Sequence, residues 1–349
     1  MKLFALYLPQ FHRIPENDQW WGEGFTEWVK VKEAKPLFKG HMQPKQPLND
    51  NYYNLLDYET VKWQTELMHK YKIDGFIYYH YYFKGKMLLE KPAENLLKWK
   101  EINQPFFFCW ANHTWNRSWN GTREVLMKQE YGDVSDWRKH FEYLLPFFKD
   151  ERYEKIDNKP LFILYDESCE VKEEMFKYFD IWCKEEGFDG IQVIYEQFRI
   201  QDKDTNQMHY FSSPISARLA FEHEMGKIYM KVNHIIDKLT QKGLLKRIRK
   251  YDGNKLYTSL MKKQVIHKNY IPGIFFEWDN TPRHGVRGFI IKPVNKETFM
   301  KYMDSIRESR YAIVNAWNEW AEGMILEPTV ENGHKYLEWI KEWKENNNK

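Results

Sequence analysis

The chain has 349 residues, 42% of them hydrophobic, and a formal net charge of only +3 from 53 basic and 50 acidic side chains. That length suits one large α/β barrel with insertions better than one small domain. The charge balance excludes nucleic acid as the main partner, because phosphate binding needs a concentrated basic excess. Aromatics make up 17% of the chain, with 15 Trp and 23 Tyr. Buried Trp and Tyr need partners for their N–H and O–H groups. A polar-aromatic cleft is the economical reading, and carbohydrate is the ligand class that most often wants one.

Short apolar runs recur along the chain. The first, at 3–8, is too short for the apolar region of a signal peptide and has no small-residue cleavage site after it. It reads as a strand, and the protein is expected in the cytoplasm. Tyr7 and His12 stand at its end. A helical pattern at 58–71, with Val61, Leu67 and Met68 apolar, stops just before Asp74-Gly75. The second run, 75–79, leads into His80 and Tyr81. His80 is suited to polarise a hydroxyl, or to serve as a structural hydrogen-bonder. In the third run, 106–110, Phe106, Phe107 and Phe108 read as core. From Trp110 onward, Asn112, Trp115, Arg117 and Trp119 alternate indoles with hydrogen-bonding groups. Stacking faces beside forked donors suit a hydroxyl-rich ring; the alternative is a structural loop packed on its own aromatics.

Further runs lie at 161–165, 191–195, 274–278 and 311–314, with a weaker one at 209–212, and helical patterns at 137–148 and 173–186 fall between them. Asp166 and Glu167 follow the fourth run and Glu196 the fifth. Asp202 and Asp204 superficially look like a metal–nucleotide acidic pair, but their polar loop reads as a solvated turn. Trp278, Asp279, Asn280 and Arg283 end the seventh run, where Asp279 and Asn280 either make an Asx-type turn or touch ligand. The stretch 214–268 is basic, rich in helical pattern and poor in strand signal. It is expected to be a helical insertion around the sixth strand, with 242–250 as a solvated helix face or docking patch.

The runs are continuous rather than alternating, as parallel strands covered on both faces should be. Strand and helix alternate, and eight strands would close a (β/α)8 TIM-type barrel over residues 1–349 as a single domain. An open doubly wound sheet should show a Gly-rich phosphate loop, and none is present. Polar and aromatic residues gather at the C-terminal ends of seven runs, the edge where barrel enzymes build their sites.

The densest such cluster follows the last run: Asn315-Ala-Trp317-Asn318-Glu319-Trp320-Ala-Glu322-Gly. Two carboxylates at the end of a buried strand, among indoles, suit glycosidic-bond chemistry. One acid must ionise while the other holds a proton, and apolar walls help to separate them. The bland alternative is a helix N-terminus, where Glu is common. His12, His41, Asp18 and Glu27 lack metal-ligand spacing, as do Cys109, Cys169 and Cys183, so neither a metal nor another cofactor is expected. No stretch approaches the roughly 20 apolar residues of a membrane span, although peripheral contact with a lipid-linked acceptor is compatible with that.

Several motifs in order resemble a known family: Leu-Tyr-Leu-Pro-Gln-Phe-His at 6–12, Trp-Trp-Gly-Glu-Gly-Phe-Thr-Glu-Trp at 20–28, Gly-Phe-Ile-Tyr-Tyr-His-Tyr at 75–81, Cys-Trp-Ala-Asn at 109–112, Trp-Asp-Asn-Thr-Pro-Arg at 278–283, and the segment at 315–323. Together they look like the WbsX family, glycosyltransferases of bacterial O-antigen and capsule gene clusters. That family is also called glycoside hydrolase family 99-like, for its similarity to endo-α-mannosidases. The resemblance implies a (β/α)8 barrel, a mannose-like sugar or oligosaccharide as partner, and retaining chemistry. It implies that Glu319 is the base on the sugar's own 2-hydroxyl, which attacks C1 to give a 1,2-anhydro sugar, and that Glu322 is the acid. It also draws Trp28 into the site. Ala321 stands where the hydrolases often carry His, and 214–268 has no counterpart. Glycosyl transfer in surface-polysaccharide assembly is the first expectation. A hydrolase or transglycosylase is the second, and a carbohydrate-binding protein without catalysis the third.

Overall fold

A computed structural model describes residues 1–117, 124–198, 207–211, 213–263 and 269–347. Trp119, Asp202 and Asp204 lie outside the described residues. The central sheet is built from β1 (Lys2–Tyr7), β2 (Gly75–Phe83), β3 (Phe106–Trp110), β4 (Lys159–Leu164), β5 (Gln192–Gln197), β6 (Met208–Phe211), β7 (Tyr270–Ile271), β8 (Gly273–Ile274) and β9 (Tyr311–Val314). Neighbours pair in parallel from β1 through β6, β7 pairs with β6, β8 with β9, and β9 with β1. The ring therefore closes, with one stave split at Pro272. Proline has no N–H for the ladder, so the strand breaks there, while its carbonyl still accepts from Ile313 N at 3.0 Å. The result is a TIM-type α/β barrel.

The apolar runs became strands because both of their faces are covered. All five residues of β3 are buried, as are the five after Lys2 in β1. Burial of each such large side chain contributes about 1.5–3 kcal/mol. Gly75 opens β2 where no side chain fits: a Cβ would lie 2.4 Å from the Phe4 ring and 2.5 Å from the Pro105 carbonyl. Helices α1 (Tyr58–Lys70), α2 (Lys91–Lys98), α3 (Val134–Phe148) and α4 (Lys172–Glu185) alternate with the first strands. Asp133 closes a capping box at the start of α3.

Between β6 and β7 run α5 (Ser213–Gln241), a strand at Arg249–Asp252, and α6 (Gly253–Lys263). Gly226, at φ +87°, interrupts α5, a backbone state that glycine adopts without penalty. Glu224 accepts from Ser259 at 2.6 Å and pairs with Lys262, which pins the first half of α5 to α6. The chain finishes with α7 (Lys296–Ser305) and α8 (Lys335–Asn347).

The apolar run at 274–278 is not one strand, contrary to the expectation from sequence. Only Gly273–Ile274 belongs to the barrel. After Ile274 the chain leaves it, and Trp278–Asp279 pairs antiparallel with Phe289–Lys292, itself parallel to Arg249–Asp252.

Candidate active site

A cavity of about 400 Å³ opens at the C-terminal ends of the barrel strands. Glu319 and Glu322 lie on its wall, on a short turn after β9. Gly323 closes that turn at φ +65°, and a Cβ there would stand 3.0 Å from Asp279 N.

Arg283 links the two acids. Its Nη1 donates to Glu322 Oε1 at 2.5 Å, and its Nη2 donates to Glu319 Oε2 at 3.1 Å and to Glu27 Oε1 at 2.6 Å. Trp278 Nε1 donates to the other oxygen of Glu322 at 3.1 Å. Glu27 is fully buried and Glu319 nearly so. Three carboxylates thus share one guanidinium. Burial pushes the Glu319 carboxyl well up; Arg283 pulls it back, and the charges of Glu322 and Glu27 push it up again. Burial works against the charge on Arg283, but the three carboxylates outweigh it and fix the cation. A carboxyl with a raised affinity for protons, beside a second carboxylate held by the same cation, is an arrangement suited to proton exchange.

The remaining wall is aromatic and hydroxyl-rich. Tyr81, Trp115, Glu196 and Trp278 line it. Trp115 is half-buried and meets Tyr81 edge-on at 5.0 Å and Trp20 at 5.8 Å. Tyr79, Tyr165, Asn17, Trp21, Asn116 and Asn315 also line it and were not singled out from the sequence. Burial raises the phenols of Tyr79, Tyr81 and Tyr165 far above their ordinary value, and neighbouring Glu319 adds to this, so all three remain O–H donors.

Eleven of the expected contact residues are not on the cavity wall, and each has a structural partner or setting instead. Tyr7 donates to Gln64 of α1 at 2.7 Å. His12 is buried, and burial lowers its imidazole to about 4. Trp28 donates to the Tyr53 carbonyl at 2.8 Å, its ring against Phe11 and Trp320. His80 shares a 2.8 Å Nε2–Nε2 hydrogen bond with His140 of α3. The reason is parity: successive β2 side chains alternate, Tyr79 and Tyr81 reach the cavity, and His80 falls on the helix-facing side. Trp110 is on the outer face too, donating to the Tyr82 carbonyl at 3.2 Å and packing on His140. Asn112 bridges Tyr131 and Asp166.

Asp279 makes the Asx-type turn. One oxygen accepts from Thr281 N and Oγ1 at 3.1 and 2.6 Å; the other bonds His41 and Gln43, each at 2.7 Å. Asn280 accepts from Phe289 N. Asn318 brackets the Leu8 backbone with bonds of 2.7 and 3.1 Å. Trp317 and Trp320 point away from the cavity. Both indoles donate to Glu327, at 2.9 and 2.7 Å, and Gln64 and Tyr53 donate to the same carboxylate at 2.7 and 2.8 Å.

Glu327 is thus a buried anchor for the acid-bearing turn. Burial pushes its carboxyl up to about 7, against four hydrogen bonds that favour the charged form. With each oxygen accepting two donors, an added proton would have to displace one of them.

The fold and the acid turn define a TIM-type barrel with a carboxylate pair at the strand C-termini. The profile of the family Glycosyltransferase WbsX matches residues 3–340, and the chain belongs to that family. Two uncharacterized WxcX proteins from two strains of Xanthomonas campestris pv. campestris are each 28% identical to it over 347 and 349 residues. These alignments cover 96% of this chain and 48% of each relative, so the chain spans about half the length of the curated relatives it matches. Among solved structures, a glycoside hydrolase-like protein superposes with a TM-score of 0.61 at 11% identity, over 98% of this chain and 93% of the other. A family 99 endo-α-mannosidase from Bacteroides thetaiotaomicron, in complex with bis-tris-propane, superposes with a TM-score of 0.57 at 13% identity, over 99% and 96%. The likeness at these identities is one of fold.

Proposed function

We propose that the chain is a retaining carbohydrate-active enzyme that transfers a mannose-like glycosyl unit during assembly of a bacterial surface polysaccharide. The observation that carries this reading is the Arg283 clamp on Glu319 and Glu322 at the wall of a cavity lined by phenols, amides and indoles. Glu319 removes the proton from the sugar's 2-hydroxyl. The resulting oxygen attacks C1, the C1–O bond to the leaving group breaks, and protonated Glu322 gives its proton to the departing oxygen. The 1,2-anhydro sugar is then opened at C1 by an acceptor hydroxyl whose proton returns to Glu322, while the 2-oxygen recovers its proton from Glu319. Both groups end as they began. This differs from the common retaining scheme, in which a carboxylate attacks C1 directly. The membership of the WbsX family supports transfer to a sugar.

The likeness to a family 99 endo-α-mannosidase supports a second reading, hydrolysis or transglycosylation, in which water or another glycan opens the same intermediate. Leaving-group dependence tests the chemistry. Glu322→Gln should lose at least a hundredfold in kcat/KM on an alkyl mannoside but much less on a mannosyl fluoride, because acid assistance matters only when the leaving group needs a proton, and such assistance is typically worth about 10²–10⁴-fold. Glu319→Gln should be impaired on both. Equal losses for both variants on both substrates would end the assignment. Product analysis with added glycan acceptors then separates transfer from hydrolysis.

A further inference from the structure

The second half of α5, residues 227–241, presents an unusual surface. Ile228, Val232, Ile235 and Leu239 recur at the spacing of one helical face. In a soluble protein such a stripe normally faces the core. Here it faces solvent, with Ile228 81% exposed and Ile235 57% exposed. Lys227, Lys231, Lys238 and Lys242 each stand near this stripe in the same helical rhythm, about 100° round from it, and form a cationic rail along its edge. Residues 227–250 hold eight Lys and Arg against the single acid Asp237, more positive charge than the whole chain's net +3. Asp237 is itself held by Arg249 at 3.1 Å.

We propose that residues 227–241 form an interfacial helix that seats this protein on an anionic lipid surface. An apolar stripe flanked by lysines is the pattern of a helix lying in the headgroup region, with aliphatic side chains in the acyl boundary and ammonium groups at the phosphates. Charge selects this occupant. A second copy of the chain would bring two lysine rails together, whereas acidic headgroups neutralise one. No described helix is long and apolar enough to cross a membrane, so the helix lies on the bilayer rather than through it. The first turn of α5, before the break at Gly226, supplies Pro214 and Ile215 to the cavity wall. An acceptor carried on lipid is a corollary that rests on the proposed function; the membrane contact itself does not.

Flotation of the full chain with vesicles tests the proposal without any turnover, so its failure leaves the catalytic reading untouched. The protein should bind vesicles of phosphatidylcholine mixed with phosphatidylglycerol at least tenfold more tightly than phosphatidylcholine alone, and high salt should weaken that binding. Each lysine is worth roughly fivefold near such a surface, so Lys231→Glu with Lys238→Glu should reduce binding by at least twentyfold. Ile228→Ser with Ile235→Ser should also weaken it while leaving the melting temperature unchanged, because these side chains are exposed. Equal affinity for both lipids, no binding at low salt, or charge-reversed variants that still bind would overturn it. A dimer that dissolves in the serine variant, with no vesicle binding, would assign the stripe to a second copy instead.

Discussion

Arg283 does two jobs that pull in different directions. It neutralises Glu27, which is fully buried, and it spreads what remains over the two acids of the proposed reaction. Removing the cation outright leaves Glu27 as an uncompensated buried charge, a change that costs about 3–5 kcal/mol. Arg283→Lys is the more informative variant. Lysine keeps the charge but not the planar fork that reaches three carboxylates at once. Glu319 loses part of the attraction that lowers its proton affinity, so its carboxyl moves further up. If ionised Glu319 is the base, kcat/KM climbs as pH passes its pKa, and the acid limb of the profile should move to higher pH in the lysine variant. A pH–rate series on the wild type and this variant measures it. A limb that stays in place with the rate preserved would mean that Glu319 does not titrate in the reaction.

The turn carrying both acids is anchored by residues that do not line the cavity. Trp317 and Trp320 flank Glu319 in sequence, yet their indoles converge on Glu327 on the far side, together with Gln64 and Tyr53. Glu327→Gln should test this anchor. A glutamine amide offers one acceptor oxygen and turns an NH2 toward donors, leaving at least one buried N–H without a partner. A loss of about 1–3 kcal/mol in unfolding free energy is expected, with kcat falling alongside because the turn is less well held. Unchanged stability in urea denaturation would remove Glu327 from this role. The same turn shows what could be read in advance. Aromatic-flanked acids after a buried run located the pair, because that pattern is local. That two of those tryptophans serve a distant carboxylate was hidden, because their partners are 10 and 7 residues on, and Gln64 is 263 away. In β2 the run was clear, but parity was not. A continuous apolar strand carries no alternation to tell inner from outer, so His80 was singled out and Tyr79 beside it was not.

The barrel as a whole was readable because parallel strands buried on both faces leave apolar runs whatever their register. The split stave at Pro272 and the side sheet beyond it were not, since both depend on where the chain leaves the ring. Its aromatic shell also has a consequence for stability. His80 and His140 are buried against each other between β2 and α3, ringed by Tyr82, Phe108 and Trp110. Burial lowers His80 to about 3 and holds His140 well below its ordinary value, with His80 adding to the effect on His140. The folded protein therefore keeps both neutral where the unfolded chain, near 6.5, takes up protons. The stability is fully present above that pH and is lost as pH falls below it, by up to about 1.4 kcal/mol per pH unit for each histidine. Glu319 and Glu327 act in the opposite sense, because their raised carboxyls let the folded state bind protons first. A difference measurement cancels them. His80→Leu with His140→Leu removes both imidazoles together, which leaves no buried polar group orphaned. Near pH 7.5 this variant should be close to the wild type in urea. Toward pH 5 it should gain on the wild type by about 4 kcal/mol as the histidine penalty grows in one protein and not in the other. A gap of the same size at both pH values would show that the pair does not govern the acid side of the stability curve.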